Sequence, residues 1–361
     1  MKAARWVDLG RVVCEEVPVP PVADGDILVR TAYASICGSD LHSVFLSAPS
    51  EPVPAGHPGH ESVGEVVESR CPGFEPGDWV LTVPFAADGR CLAEYQAIPG
   101  AFCIRLPAGV PLGQLLMAQQ LGTVIYALRC HPLDVTGRDA AVIGQGSAGA
   151  FFTFLLKRAG AARVLVSDKS SARLAYSRQL GADLAVDVGT VDVGKVDAGT
   201  VDAGTVDAGT VDAGTVDAGT VDAGTVDAGP GGFLSAVLEA TGGRGADVVV
   251  EAVGSRETFP LSLDLAAPGA TLVWFGLPEG PGHYPFSFRD FFRKGLTGYS
   301  NFGAQGEPGL ESFRYALRMI ADGAIDVSPL LSHMLPIEAV DEAFRIAHDR
   351  SDNALKVSIK F

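Results

Sequence analysis

The sequence has few cysteines and few basic residues for its length, and each shortage excludes a class of protein. Its 361 residues include six cysteines, none spaced as a Cys-x-x-Cys pair. This argues against a disulfide framework and a four-cysteine structural zinc, and it favours a reducing cytoplasm. Lysine and arginine number 27 against 43 acidic residues, which gives a net charge of −16. That balance disfavours nucleic acid and anionic membranes as partners.

Long apolar runs are missing as well. No stretch approaches the roughly 20 apolar residues of a membrane span, and no apolar run follows the opening Met-Lys-Ala-Ala-Arg. We therefore expect no membrane partner, no signal peptide and a cytoplasmic location. A chain of this length is long enough for two domains.

The spacing of apolar residues changes along the chain. The first 125 residues alternate apolar and polar positions between Gly, Pro and Asp turns, which predicts strands at 12–17, 26–34, 64–68 and 79–83. A helical period covers residues 113–129. Strands predicted at 140–143, 163–167, 246–253 and 270–275 then alternate with helices. This alternation predicts a parallel sheet covered on both faces.

The chain is organised around one glycine turn at residues 144–149, between an apolar strand and a helical run. Gly144 permits a tight turn, Gly146 lets backbone amides approach a pyrophosphate, and Gly149 lets the helix pack on the strand. Ser147 and Ala148 stand at the helix N-terminus, which faces the phosphate charge. Alone, this G-x-G-x-x-G is a weak signal. With a strand before it and a helix after it, the turn predicts dinucleotide binding.

An acidic residue completes this pattern. The next apolar strand ends at Asp168, about 20 residues past the glycines, where a ribose-binding carboxylate is expected. A carboxylate there repels a 2′-phosphate, which favours NAD over NADP. The adjacent Lys169 opposes that preference, so NADP is not excluded.

Residues 186–230 form a low-complexity insertion of pentapeptides, mostly Val-Asp-Ala-Gly-Thr. A period of five fits neither a strand nor a helix, and one valine per repeat buries little apolar area. We expect a disordered or extended surface insertion. A small solenoid or a cation-binding loop is the alternative.

Two short stretches near the N-terminus carry metal-binding residue types. One begins at Cys37 and contains Ser39 and His42, and the other contains His60 and Glu61. Thiolate and imidazole suit Zn²⁺, and a catalytic zinc needs three protein ligands and one open position. Each residue alone is more often structural, but together, upstream of a dinucleotide turn, they indicate a catalytic metal.

With these motifs, the chain resembles the zinc-dependent medium-chain alcohol/polyol dehydrogenases. The resemblance also rests on residues 28–30, 76–78, 180–183, 247–254 and 355–357. It implies an α/β protein with a GroES-like β-rich catalytic domain and a Rossmann domain with a doubly wound parallel sheet. The catalytic domain would be residues 1–125, completed by 296–361, and the NAD-binding domain 126–295, interrupted by the insertion.

The resemblance also implies roles for the residues of the two stretches. Cys37 and His60 resemble zinc ligands, and Glu61 resembles the acid beside the metal. Ser39 resembles the hydroxyl that hydrogen-bonds the substrate alcohol, and His42 the outer end of the proton relay.

The cofactor residues are implied in the same way. Thr123 falls where the family contacts the nicotinamide, and Asp168 and Arg173 fall where it holds the adenosine ribose. Val253 and Gly254 fall in the cofactor site.

The chain departs from the family at the metal. The usual third ligand falls at Gln119, and a neutral amide is a poor zinc ligand, so either Glu61 coordinates directly or zinc is held weakly. The structural zinc lobe is missing, because residues 84–95 contain only Cys91. We expect one catalytic zinc and no structural zinc.

These features predict an oxidoreductase that transfers hydride between a secondary alcohol, of the polyol, sugar or cyclitol type, and NAD. A zinc-free medium-chain reductase that acts on a carbonyl or enone with NADPH is one alternative. A catalytically silent nucleotide-binding protein is the other. The expected partners are a small alcohol or ketone and further copies of the chain, as a homodimer or homotetramer.

Overall fold

The computed structural model describes residues 1–189, 226–227, 232–280, 282–301 and 303–361. The strands are β1 Lys2–Asp8, β2 Arg11–Glu16, β3 Asp26–Ser35, β4 Ser62–Ser69, β5 Trp79–Thr82, β6 Tyr95–Pro99, β7 Cys103–Arg105, β8 Asp139–Ile143, β9 Arg163–Asp168, β10 Leu184–Asp187, β11 Val226–Asp227, β12 Ala246–Glu251, β13 Ala266–Trp274, β14 Thr297–Ser300, β15 Leu331–Pro336 and β16 Lys356–Lys360. The α-helices are α1 Gly38–Leu46, α2 Leu112–Leu116, α3 Ala118–Arg129, α4 Ser147–Arg158, α5 Ser171–Gln179, α6 Gly232–Ala240, α7 Thr258–Leu265, α8 Phe288–Lys294, α9 Glu311–Ala321 and α10 Val340–Asp349.

One sheet combines strands from both ends of the chain. Its order is β15-β16-β3-β4-β5-β7, and β6 also pairs with β3. The last strand, β16, pairs antiparallel with the end of β3, where Ser358 lies opposite Ser35. The residues that follow β3 therefore lie close to the C-terminal strand.

The other large sheet is parallel, with the order β11-β10-β9-β8-β12-β13-β14. Every residue of β8 is buried. Ala140 and Val142 belong to one apolar cluster, and Ala141 and Ile143 belong to another. Because alternate residues point to opposite faces, the sheet is covered on both sides. The predicted α/β fold class, with its doubly wound parallel sheet, is confirmed.

The strand order places a ligand crevice at one edge of this sheet. From β8 the chain crosses to β9 on one side and returns later to β12 on the other. In doubly wound sheets, ligands bind outside the carboxyl ends of the strands at such a switch point. The glycine turn follows β8, and Val253 and Gly254 follow β12.

Several element bounds differ from the prediction. The helix predicted at 113–129 is two helices that meet at Met117. The parallel sheet runs past the predicted boundary at residue 295, because β14 pairs with β13.

Residues 186 and 187 of the predicted insertion belong to β10. Apart from residues 186–189 and the β11 pair, the predicted insertion lies outside the described residues. Within the described ranges, no helix has the length and apolarity needed to cross a membrane.

Candidate active site

Cys37 occupies the N-cap of α1, directly after β3. Its backbone N–H donates to Asp40 Oδ2 at 2.8 Å. The other oxygen, Asp40 Oδ1, lies 3.1 Å from His60 Nδ1. A carboxylate only accepts, so Nδ1 carries the proton and Nε2 is left as a metal-ligating nitrogen. Asp40 thus fixes both predicted ligands, a role that was not predicted from the sequence.

Three donor atoms, one each from Cys37, His60 and Glu61, lie within 4.8 Å of one another. Glu61 Oε1 is 4.0 Å from His60 Nε2, and it is buried without a hydrogen-bond partner in the described residues. Sulfur, nitrogen and oxygen donors in this number suit a catalytic zinc. The carboxylate oxygen without a partner makes Glu61 available as a third donor.

The second oxygen of Glu61 is held by an ion pair. Lys356 Nζ on β16 donates to Glu61 Oε2 at 2.6 Å, and the Ser35 hydroxyl donates to the same oxygen. Glu61 is 1% exposed and Lys356 is 3% exposed. Burial alone would raise the pKa of Glu61, but the charges of Lys356 and His60 outweigh burial and lower it. Glu61 is therefore an ionised carboxylate with one free oxygen.

The electrostatic balance of the cluster also suits a cation. Burial alone would lower the pKa of His60, but Asp40 and Cys37 outweigh burial and raise it well above its usual value. A divalent ion bound beside this imidazole would also be attracted by the acidic groups around it. The alternative third ligand, Gln119, is buried on α3, where its backbone carbonyl accepts from Thr123 Oγ1 at 3.1 Å.

Helix α1 also presents the two residues of the predicted proton relay. Ser39 Oγ and His42 Nδ1 are buried and lack hydrogen-bond partners in the described part of the chain. They are three residues apart, so they share one face of the helix. Burial lowers the pKa of His42, although the charge of Glu279 opposes this. A neutral imidazole with a free nitrogen can accept a proton.

The glycine turn has the geometry that its sequence predicts. Gly144 has a φ of +85°, and a Cβ placed there would lie 2.5 Å from a methyl group of Val253. A Cβ on Gly149 would lie 1.8 Å from the Gly144 carbonyl oxygen. Gly146 is the N-cap of α4, so the N–H groups of Ser147 and Ala148 have no acceptor within the helix. This arrangement can hold a pyrophosphate.

Asp168 and Arg173 lie beside this turn. Asp168 Oδ2 accepts from the backbone N–H of Gln145 at 2.7 Å, and Oδ1 accepts from that of Ser170 at 2.9 Å. Arg173 Nη1 lies 3.9 Å from Asp168 Oδ2. Its Nη2 donates to the Ala354 carbonyl at 2.7 Å, so Arg173 also ties α5 to the segment before β16.

A buried acid shapes the turn after β12. Glu251 Oε1 accepts from the backbone N–H groups of Val253 at 2.9 Å and Gly254 at 2.8 Å, and from Thr258 Oγ1 at 2.8 Å. Gly254 has a φ of +89°, and a Cβ there would lie 2.0 Å from the Leu277 carbonyl oxygen. Burial raises the pKa of Glu251, although these hydrogen bonds oppose the rise. Glu251 was not predicted as a site residue; its signal in the sequence is an acid at the end of an apolar strand.

A doubly wound parallel sheet with a glycine turn, joined to a β-rich unit that carries a Cys–His–Glu cluster, is typical of one class of oxidoreductase. Two family models match the chain. The alcohol dehydrogenase GroES-like domain covers residues 23–127, and the zinc-binding dehydrogenase model covers residues 219–322. The chain belongs to the zinc-dependent medium-chain dehydrogenase family.

Individual relatives match along nearly the whole chain. An alcohol dehydrogenase of Cupriavidus necator is 25% identical over 100% of this chain and 98% of its own. The sorbitol dehydrogenase of Mus musculus is 24% identical over 97% of this chain and 93% of its own. Among solved structures, an alcohol dehydrogenase from Thermus sp. ATN1 has a TM-score of 0.78 at 24% identity, with 100% of both chains covered.

Proposed function

We propose that the protein is a zinc- and NAD-dependent dehydrogenase that transfers hydride between a secondary alcohol and NAD. The observation that carries this proposal is the cluster of half-buried Cys37 with buried His60 and Glu61. On the adjoining helix, Ser39 Oγ and His42 Nδ1 have no hydrogen-bond partner in the described residues. The similarity to a sorbitol dehydrogenase supports a polyol, sugar or cyclitol as the alcohol.

The roles of the residues follow from their chemistry. Cys37, His60 and Glu61 would hold one zinc ion. When bound, the metal would polarise the substrate oxygen, and the nicotinamide would accept the hydride. Ser39 Oγ accepts the hydrogen bond of the substrate hydroxyl. The proton that the substrate loses would pass by way of Ser39 to His42, which releases it to solvent. The glycine turn and the N-terminus of α4 hold and orient the dinucleotide.

Further features support the rest of the proposal. None of the six cysteines forms a disulfide, which supports a cytoplasmic location, and the single cysteine in residues 84–95 supports one zinc without a structural zinc. The outer edge of β14 has no partner strand in the described residues, and Phe288 and Phe292 on neighbouring α8 are 67% and 73% exposed. This surface supports a homodimer or homotetramer.

We keep the two-domain division, with the second boundary moved to residue 300 because β14 pairs with β13.

Metal analysis and turnover test this function together. We expect about one zinc per chain, and NADH formation at 340 nm with at least one member of a panel of polyols, sugars and aminocyclitols. A chelator should abolish the activity and added zinc should restore it. A zinc-free protein that reduces ketones or enones with NADPH would instead be the alternative reductase. Dinucleotide binding without turnover on the panel would indicate a silent binding protein.

The preference for NAD is expected to depend on Asp168. In Asp168→Ser the charge that repels a 2′-phosphate is lost, while the shorter hydroxyl can still accept a hydrogen bond. We expect the ratio of kcat/KM for NAD to that for NADP to fall at least tenfold, or about 1.4 kcal/mol. Asp322→Ser, which removes an exposed acid at the end of α9, should leave the ratio unchanged. An unmodified protein that uses NADP better than NAD would contradict this role of Asp168.

A further inference from the structure

The second residue of the glycine turn, Gln145, has a side chain that points away from solvent into the domain. It is 1% exposed. Its Nε2 donates to the Gly144 carbonyl at 3.0 Å, and its Oε1 accepts from Thr153 Oγ1 at 2.9 Å and from Ser177 Oγ at 2.7 Å. A carbonyl oxygen only accepts, so the amide nitrogen must face Gly144 and the orientation of the amide is fixed.

These hydrogen bonds join four elements at one residue. Thr153 lies on α4, Ser177 lies on α5, and both are fully buried. The backbone N–H of Gln145 adds a fourth bond, to Asp168 Oδ2 at the end of β9. The turn after β8 is therefore tied to both covering helices and to the neighbouring strand through Gln145.

The two hydroxyls have alternative acceptors on their own helices. Thr153 Oγ1 lies 3.0 Å from the Gly149 carbonyl, and Ser177 Oγ lies 2.8 Å from the Arg173 carbonyl. A hydroxyl has one proton to donate. Without the Gln145 amide, both hydroxyls can still donate to carbonyls within α4 and α5. Loss of the amide should therefore disturb the position of the turn more than the stability of the two helices.

We propose that Gln145 is a positioning residue for the dinucleotide. Its amide holds the Gly144 carbonyl and the start of α4 in the geometry that directs the first N–H groups of α4 at the pyrophosphate. The G-x-G-x-x-G pattern allows any residue type at this position, because it specifies only the glycines. The inference rests on the proposed function, since it assumes that the turn binds a nicotinamide dinucleotide.

The test compares Gln145→Met with Gln179→Met. Methionine has a similar length but makes none of the side-chain hydrogen bonds, and Gln179 is exposed at the end of α5. For the full-length zinc-loaded protein, we expect the Kd for NAD, measured by calorimetry, to rise at least tenfold in Gln145→Met and to stay within twofold in Gln179→Met. Zinc content and the KM for the alcohol at saturating NAD should not change. A folded Gln145→Met protein with an unchanged Kd would overturn the proposal.

Two single variants cover the case in which Gln145→Met does not fold, and a double-mutant cycle applies when it does fold. Ser177→Ala and Thr153→Val each remove one donor to the amide oxygen, and each should raise the Kd for NAD severalfold in a folded protein. Adding Ser177→Ala to Gln145→Met should have no further effect, because the partner is already gone. Fully additive effects, or unchanged Kd values in both single variants, would overturn the proposal. An unmodified protein that binds neither NAD nor NADP would overturn the proposed function and this inference with it.

Discussion

Cys37→Ser is expected to lose its zinc and its turnover while the chain stays folded. A thiolate supplies both the negative charge and the soft donor of the metal cluster, and a serine hydroxyl is neutral and hard. We expect zinc to fall from about one per chain to a trace. We expect kcat/KM to fall by roughly three orders of magnitude, or about 4 kcal/mol of transition-state stabilisation. The change is nearly isosteric and the side chain is half-buried, so the loss of core packing is small.

The matched control is Cys14→Ser. Cys14 is also a half-buried free thiol, but it lies on β2 and is not part of the Cys37, His60 and Glu61 cluster. Elemental analysis, NADH formation and thermal unfolding by circular dichroism give the three readouts. Full metal content and full activity in Cys37→Ser would exclude it as a zinc ligand. Equal losses in both variants would mean that the effect is not specific to the metal.

Features that arise within one βαβ unit were predictable from the sequence. The strand before Gly144, the helix after it and the acid at Asp168 lie close together along the chain, so periodicity and spacing locate them. The steric reason for Gly149 is also local, because its Cα faces the carbonyl of Gly144. The metal cluster was predicted as residue types, because Cys37 and His60 stand in short recognisable stretches.

Contacts between distant parts of the chain were not predictable in this way. Arg173 resembled a ribose-binding residue, but its contact with the Ala354 carbonyl spans 181 positions. Asp40 had no predicted role, because its contact with His60, which precedes β4, forms only in the folded chain. The break at Met117 also escapes periodicity, because the apolar spacing continues across it. These features depend on side-chain contacts between residues that are far apart in the sequence. The spacing of apolar residues does not predict such contacts.

The segment before and within β16 contacts both halves of the site. Ala354 accepts the hydrogen bond of Arg173 on the dinucleotide side, and two residues later Lys356 pairs with Glu61 on the metal side. Burial alone would lower the pKa of Lys356, but Glu61 and Cys37 outweigh burial and raise it. Lys356 is therefore a buried cation whose charge balances the acidic cluster.

Lys356→Met is expected to destabilise the metal-free protein by about 3–5 kcal/mol, because it leaves the charge of Glu61 buried and unpaired. Zinc should offset much of this loss, since a divalent ion can take over the neutralisation of Glu61. The gain in unfolding free energy on zinc loading, measured by urea denaturation of the metal-free and zinc-loaded forms, should therefore be larger in Lys356→Met than in the unmodified protein. Lys360→Met is the control, because Lys360 is an exposed residue at the end of the same strand, and it should change neither value by more than about 0.5 kcal/mol. If zinc stabilises Lys356→Met no more than the unmodified protein, Glu61 does not share its charge with the metal, and it must be removed from the set of ligands.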